Sequence, residues 1–120
     1  QDSCAFYERQ AIYDDFSGVS EDTSEGERIA QALGDKQVLI MQNHGILSTG
    51  SSLDIALWYF FSMERCCQSQ LMAEAAGKPT LIPHDTAVKT RDFIANELAA
   101  WASFQPLYDM ITQKEPDLFE

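Results

Sequence analysis

The residues best suited to chemistry form the Asn-His-Gly tripeptide at positions 43–45, directly after the apolar run Val38–Met41. Such a run is typical of a strand covered on both faces. Residues 46–49 predict a second strand, so the tripeptide would form the turn of an antiparallel hairpin with Gly45 at positive φ. The imidazole of His44 would then project from a rigid strand end, where it could serve as a metal ligand or be a structural or solvated residue. One histidine does not complete a zinc site.

The other candidate side chains carry weaker signals. His84 follows Pro83 in a predicted loop and is interpreted as solvated. The three cysteines, Cys4, Cys66 and Cys67, include no C-x-x-C spacing, which argues against a metal site built from them. We interpret them as reduced, half-buried thiols, and they predict a cytoplasmic protein.

Composition limits the class of protein. A chain of 120 residues that is 45% hydrophobic can build one domain. Its net charge of -11 repels phosphate backbones and anionic lipids, so we expect no nucleic-acid partner and no membrane partner. The longest apolar run, residues 55–61, is too short to span a bilayer. The chain begins with Gln1 rather than methionine, so we expect a fragment or a processed product.

Short elements are predicted upstream of the hairpin. Residues 4–13 mix aromatic and β-branched side chains and predict one or two strands. A helix is predicted to begin at Thr23 or Ser24 and to end at Gly34. Its predicted inner face consists of Ile29, Ala30, Ala32 and Leu33.

A long helix is predicted downstream of the hairpin, from Ser51 to a stop at Gly77. Ser51 and Asp54 have the spacing of a capping box. Its predicted apolar face consists of Ala56, Phe60, Met63, Cys67 and Leu71. Further aromatic residues, Trp58, Tyr59 and Phe61, occupy other faces, so this helix is predicted to be buried on more than one side.

One last helix is predicted after a cap at Asp85 or Thr86. Its predicted inner residues are Val88, Phe93, Leu98 and Trp101. Residues 104–111 form an apolar aromatic segment, which we expect to dock on the domain or on a neighbouring chain.

The tripeptide in this setting resembles a known family. The chain is similar to the C-terminal half of the class II aldolase/adducin head domain in three features: an apolar strand before the tripeptide, Gly50 after it and a long aromatic helix beyond. Four flanking stretches, residues 4–7, 12–15, 62–65 and 104–109, are similar to fungal members. The resemblance covers roughly residues 4–118, so residues 1–120 are expected to be the C-terminal portion of one such domain.

The resemblance implies a fold and a metal centre. The family has a three-layer α/β/α arrangement around a mainly antiparallel sheet. Its enzymes hold a divalent metal, usually zinc, with three histidines, of which two come from a His-x-His motif in the N-terminal half and the third matches His44. This chain contains no His-x-His motif, so by itself it is expected to be inactive. Tyr108 is the nearest match to a C-terminal tyrosine that can reach the active site, although it also fits a docked aromatic residue with a surface hydroxyl.

Three functional hypotheses follow. The resemblance implies that a longer parent is a metal-dependent carbon–carbon lyase or isomerase acting on a small sugar or hydroxy-carbonyl compound. The alternative is a non-catalytic module for protein assembly, as in the adducins. The third is a structural fragment that folds only with its missing N-terminal half or with copies of itself. Because a half-domain leaves strand edges and apolar faces uncovered, we expect either that half or a homo-oligomer, typically a tetramer in this family, as the partner.

Overall fold

Three strands form one mixed sheet in the computed structural model, which describes residues 1–18 and 23–119. The strands β1 (Gln10–Tyr13), β2 (Val38–Met41) and β3 (Gly45–Ser48) lie in the order β1-β2-β3. The predicted β2–β3 hairpin is confirmed, because these two strands pair antiparallel. β1 pairs with β2 in parallel, so the expectation of a mainly antiparallel sheet is not met by these strands. A parallel neighbour needs a crossover connection, and here a helix lies within it.

That helix, α1 (Ser24–Leu33), ends at Gly34 with φ of 55° as predicted. Ile29, Ala32 and Leu33 pack against the sheet residues Tyr13, Leu39 and Met41. The prediction was wrong for Ala30, which is exposed, because only one face of α1 rests on the sheet. Upstream, Asp2–Phe6 forms a 3₁₀ helix, so residues 4–13 contain one strand and not two.

The long helix α2 (Leu53–Ala76) has its N-cap one residue later than the predicted Ser51. Ser52 is its N-cap, and the Ser52 hydroxyl accepts a hydrogen bond from the backbone N–H of Ile55. Ser51 therefore does not form the expected capping box. The predicted stop is confirmed at Gly77, where φ is 156°.

The buried stripe of α2 differs from the predicted face. Ile55, Tyr59 and Met63 are buried, so the prediction is confirmed for Met63, whereas Phe60 and Leu71 of the predicted face are exposed. The spacing of the buried stripe is that of successive helical turns. Because residues 55–61 of α2 are apolar without interruption, their periodicity does not define an inner face, and contacts with β3 and the C-terminal helix select the stripe.

The C-terminal region contains two helices rather than one. Pro83 occupies the N-cap position of α3 (His84–Ile94) without a side-chain cap hydrogen bond, so the predicted cap at Asp85 or Thr86 was wrong. α4 (Glu97–Lys114) follows after a break at Ala95, and the side chain of Asn96 accepts a hydrogen bond from the N–H of Ala99 at 2.8 Å. A local N-cap therefore starts α4 in a new direction.

The break between α3 and α4 changes which residues are buried. The predicted inner residues Phe93 and Leu98 are 83% and 74% exposed, and Trp101 is also largely exposed. Ala100 and Phe104 are buried instead. Residues 104–111 lie within α4, so docking of this aromatic segment is confirmed at Phe104, whereas its C-terminal part remains exposed.

The two faces of β2 contact two separate hydrophobic clusters, as its continuous apolar run predicted. Val38 and Leu39 are both 0% exposed and point to opposite faces of the sheet. The cluster on the Val38 side joins the 3₁₀ helix, α2 and α4, and its buried members are Phe6, Val38, Ile55, Tyr59, Met63 and Ala100. Leu39 faces α1 on the other side. The layers are therefore helix, sheet and helix.

No described helix is both long and apolar enough to cross a membrane.

Candidate functional site

His44 lies in the tight turn between β2 and β3. Its backbone N–H donates to the carbonyl of Met41 at 3.1 Å. Asn43 has a φ of 58° and Gly45 a φ of 156°, backbone conformations that asparagine and glycine adopt most readily. The predicted positive φ at Gly45 is confirmed. The turn holds the His44 side chain exposed at the sheet end.

Phe16 lies against this histidine. The two ring centroids are 5.9 Å apart and the ring planes are inclined by 31°. Beside the pair is a cavity of about 400 Å³, here called the His44 cavity. Its walls are Tyr13, Phe16, Gly18, Glu25, Ile29, Met41 and His44. Phe16 belongs to no motif and is distant from His44 in sequence, so no sequence pattern predicts this contact.

The polar groups around the His44 cavity are bound to one another. The Tyr13 hydroxyl donates to the carbonyl of Asp15 at 2.6 Å and lies 3.5 Å from a carboxylate oxygen of Glu25. Arg28 forms an ion pair with Asp15 at 2.8 Å. The pKa of Arg28 is raised, first by a hydrogen bond with Tyr13 and then by the nearby carboxylates. The positive charge of Arg28 is therefore already paired.

The described residues do not form a complete metal site. Residues 1–18 and 23–119 contain no group of three His, Cys, Asp or Glu side chains that could hold a metal ion. His84, the other histidine, is exposed as predicted, and its Nδ1 lies 3.0 Å from the Tyr7 hydroxyl. His44 can therefore supply one ligand, and a whole centre does not fit this chain alone.

The cysteines are free thiols. Cys66 and Cys67 are half-buried as predicted, whereas Cys4 is fully buried. Burial raises the pKa of both half-buried thiols, most directly by removing the thiolate from water. A raised pKa leaves a thiol less reactive as a nucleophile.

Tyr108, the sequence candidate for proton transfer, lies on α4 and is largely exposed. It is not among the residues that line the His44 cavity.

Comparison with known proteins places this arrangement in a family. The model of the Class II Aldolase and Adducin N-terminal domain matches residues 1–71. The chain belongs to the class II aldolase and adducin family. It is 39% identical over 118 residues to the decarboxylase NovR of Streptomyces niveus, covering 98% of this chain and 44% of that protein. It is 35% identical over 114 residues to the meiotically up-regulated gene 14 protein of Schizosaccharomyces pombe, covering 91% of this chain and 44% of that protein.

A solved structure shares the fold of this aldolase-family chain. The L-fuculose 1-phosphate aldolase from Glaciozyma antarctica is 34% identical and superimposes with a TM-score of 0.82. The match covers 97% of this chain and 43% of that protein. The chain therefore spans less than half the length of these relatives.

Proposed function

We propose that His44 is one ligand of a divalent metal, zinc, in a class II aldolase-like centre whose other ligands come from polypeptide outside these 120 residues. One observation carries this proposal: a tight hairpin turn presents the exposed imidazole at a fixed place, next to a cavity of about 400 Å³. A rigid strand end is the support that a metal ligand needs. The absence of partner ligands among the described residues explains why this chain alone would hold zinc weakly.

The proposed reaction is carbon–carbon bond cleavage or isomerisation of a small sugar or hydroxy-carbonyl compound. Membership of the aldolase family supports this reaction class. The contribution of this chain is orientation: the turn fixes the His44 backbone, and the Phe16 ring limits the directions that the imidazole can take. Tyr108 remains a proposed proton-transfer residue, because its position on exposed α4 would let it reach the centre of a neighbouring subunit.

We also propose that the working protein is an assembly, either a homo-oligomer such as a tetramer or a complex with the N-terminal half of the domain. Exposed apolar side chains on α2, α3 and α4 support this, among them Phe61, Leu71, Phe93 and Leu98. Large exposed apolar surfaces of this kind mark interaction sites. The free thiols support a cytoplasmic location.

The test is metal content of the full-length protein that carries this sequence. Purified wild type, His44→Ala and His84→Ala would be dialysed against zinc and then against metal-free buffer, and analysed by inductively coupled plasma mass spectrometry. We expect about one zinc per chain in the wild type and in His84→Ala, and loss of most of that zinc in His44→Ala, as expected when one of three ligands is removed. Undiminished zinc in His44→Ala would refute the role of His44.

Zinc binding by residues 1–120 alone tests whether the metal centre needs ligands from outside this chain. Zinc should bind this chain weakly, because one imidazole leaves the ion mostly hydrated. Tight stoichiometric binding by the isolated chain would contradict a centre completed from elsewhere.

The second candidate is a non-catalytic assembly module. It is favoured by the lack of a three-ligand group among the described residues and by the apolar surfaces of α2 to α4. This second hypothesis predicts that the full-length protein takes up no metal. It also predicts that wild type and His44→Ala have the same oligomeric state by analytical ultracentrifugation. Metal-dependent lyase activity would exclude it.

A further inference from the structure

The His44 cavity has mainly apolar walls. Phe16, Ile29 and Met41 contribute hydrophobic side chains, and Tyr13 contributes its ring. The Tyr13 hydroxyl is directed to Asp15 and Glu25. The walls therefore offer hydrophobic contact to a ligand. A substrate oxygen would be bound at the His44 end of the cavity.

The volume of the cavity suits a ring. An apolar cavity of about 150 Å³ is enough to hold benzene. The His44 cavity has a volume of about 400 Å³, which leaves room for an aromatic ring together with the short oxygen-bearing chain that would reach His44. Pockets of this volume are typical of small-molecule sites.

The charges at the cavity disfavour a phosphate group. Its described walls include the carboxylate of Glu25 and no lysine or arginine. Arg28, which is outside the described walls, is held by Asp15 at 2.8 Å and also hydrogen-bonds to the hydroxyl of Ser17. A phosphate dianion placed here would face Glu25 with no lysine or arginine among the described wall residues, whereas an uncharged ring would lose only water.

We propose that the His44 cavity binds an uncharged, ring-sized apolar group of the substrate, so that the enzyme acts on aryl-substituted hydroxy-carbonyl compounds rather than on phosphorylated sugars. This rests on the proposed function, since the oxygen-bearing end of the substrate must lie at His44. Phe16 is the residue that sets this specificity, because it contacts both the His44 ring and the cavity.

Three hydroxamates with one metal-binding head and different tails test the proposal on the zinc-loaded full-length protein. Their tails are methyl, phenyl and phosphomethyl, and their dissociation constants would be measured by isothermal titration calorimetry. We expect the phenyl compound to bind about tenfold or more tightly than the methyl compound, the effect of moving an aryl surface out of water. The phosphomethyl compound should bind no better than the methyl compound.

Two variants with matched controls test the residues. Phe16→Ala should reduce the phenyl preference to within about threefold, and Phe16→Leu should keep most of it because apolar volume is retained. Phe119→Ala is the control, since Phe119 is 69% exposed, lies outside α2 to α4 and does not line the cavity. Glu25→Gln should improve binding of the phosphomethyl tail several-fold by removing a negative charge. Circular dichroism would verify that each variant is folded.

The outcomes separate the two proposals. Zinc-loaded protein that binds all three hydroxamates equally, or prefers the phosphomethyl tail, would overturn the aryl specificity and leave the metal site standing. A phenyl preference unchanged in Phe16→Ala would also overturn it. Protein that takes up no zinc and binds no hydroxamate would refute the proposed function, and the aryl specificity with it.

Discussion

Replacing Gly50 by alanine should destabilise the protein, and the reason is close packing rather than backbone conformation. A Cβ atom at Gly50 would lie 2.8 Å from the backbone nitrogen of Ala56 and 2.8 Å from Cγ2 of Ile55. Neither neighbour can move easily, because one is helix backbone and the other is a buried side chain. The hydroxyl of Ser48 also donates to the carbonyl of Ala56 at 2.7 Å, which ties β3 to the same turn of α2.

The expected loss follows from this overlap. The first turn of α2 must move away from β3, and overpacking of this kind costs about 1–3 kcal/mol of unfolding free energy. Gly26→Ala is the matched control, because Gly26 lies in α1 and an added Cβ would meet no described atom within 4 Å. Alanine is the better helix former, so this control should be stabilised by roughly 0.5 kcal/mol.

Urea unfolding monitored by tryptophan fluorescence would measure both variants, since Trp58 lies on α2 and Trp101 on α4. The midpoint should fall for Gly50→Ala and rise slightly for Gly26→Ala, with unchanged slopes. A Gly50→Ala protein as stable as the wild type would refute the packing argument. Equal losses in both variants would point to a general intolerance of alanine instead.

Two further predictions concern a helix cap and the effect of pH. Ser52→Ala should lower the unfolding free energy by about 1 kcal/mol, because it removes the hydroxyl that caps α2, whereas Ser51→Ala should change it much less; thermal unfolding compares the two. Burial raises the pKa of the Cys66 thiol and the Tyr59 phenol above their ordinary values of 9.0 and 10.0. The unfolded chain then releases these protons at lower pH than the folded protein, so the contribution of these two groups to the unfolding free energy should be constant well below pH 9 and fall above it. Tyr59→Phe should make that fall shallower in urea titrations between pH 8 and 10.5, and an unchanged pH profile would contradict this assignment. This variant should lose no stability at pH 7, because the buried Tyr59 hydroxyl has no hydrogen-bond partner in the described part of the chain.

Local features of this protein were predictable because short-range physics decides them. The apolar run of β2 required cover on both faces, and the structure supplies it. The β2–β3 hairpin and the ends of α1 and α2 at Gly34 and Gly77 depend on backbone conformations that few residues adopt. The exposed position of His44 followed from the same local rules.

The N-cap of α2 and the break between α3 and α4 were less predictable. Ser51 and Ser52 are adjacent and chemically identical, so the sequence could not say which of them begins α2. The sequence pattern does not predict a cap at Asn96, because the apolar residues around it continue the helical spacing across the break. The hydrogen bond from Ala99 to its side chain shows that one local cap outweighs that periodicity.

The sequence by itself determined the strand, the turn and the histidine at its tip, since each depends on neighbours a few positions away. Only the tertiary structure decided that β1 lies parallel to β2, that Tyr59 rather than Phe60 is buried, and that Phe16 contacts His44. Residues 55–61 of α2 are apolar on every face, so each face would lose water equally well and the elements packed against this segment decide which one is buried. The cavity beside His44 likewise exists only because the loop at Phe16, α1 and the hairpin pack together, and no local sequence pattern predicts that packing.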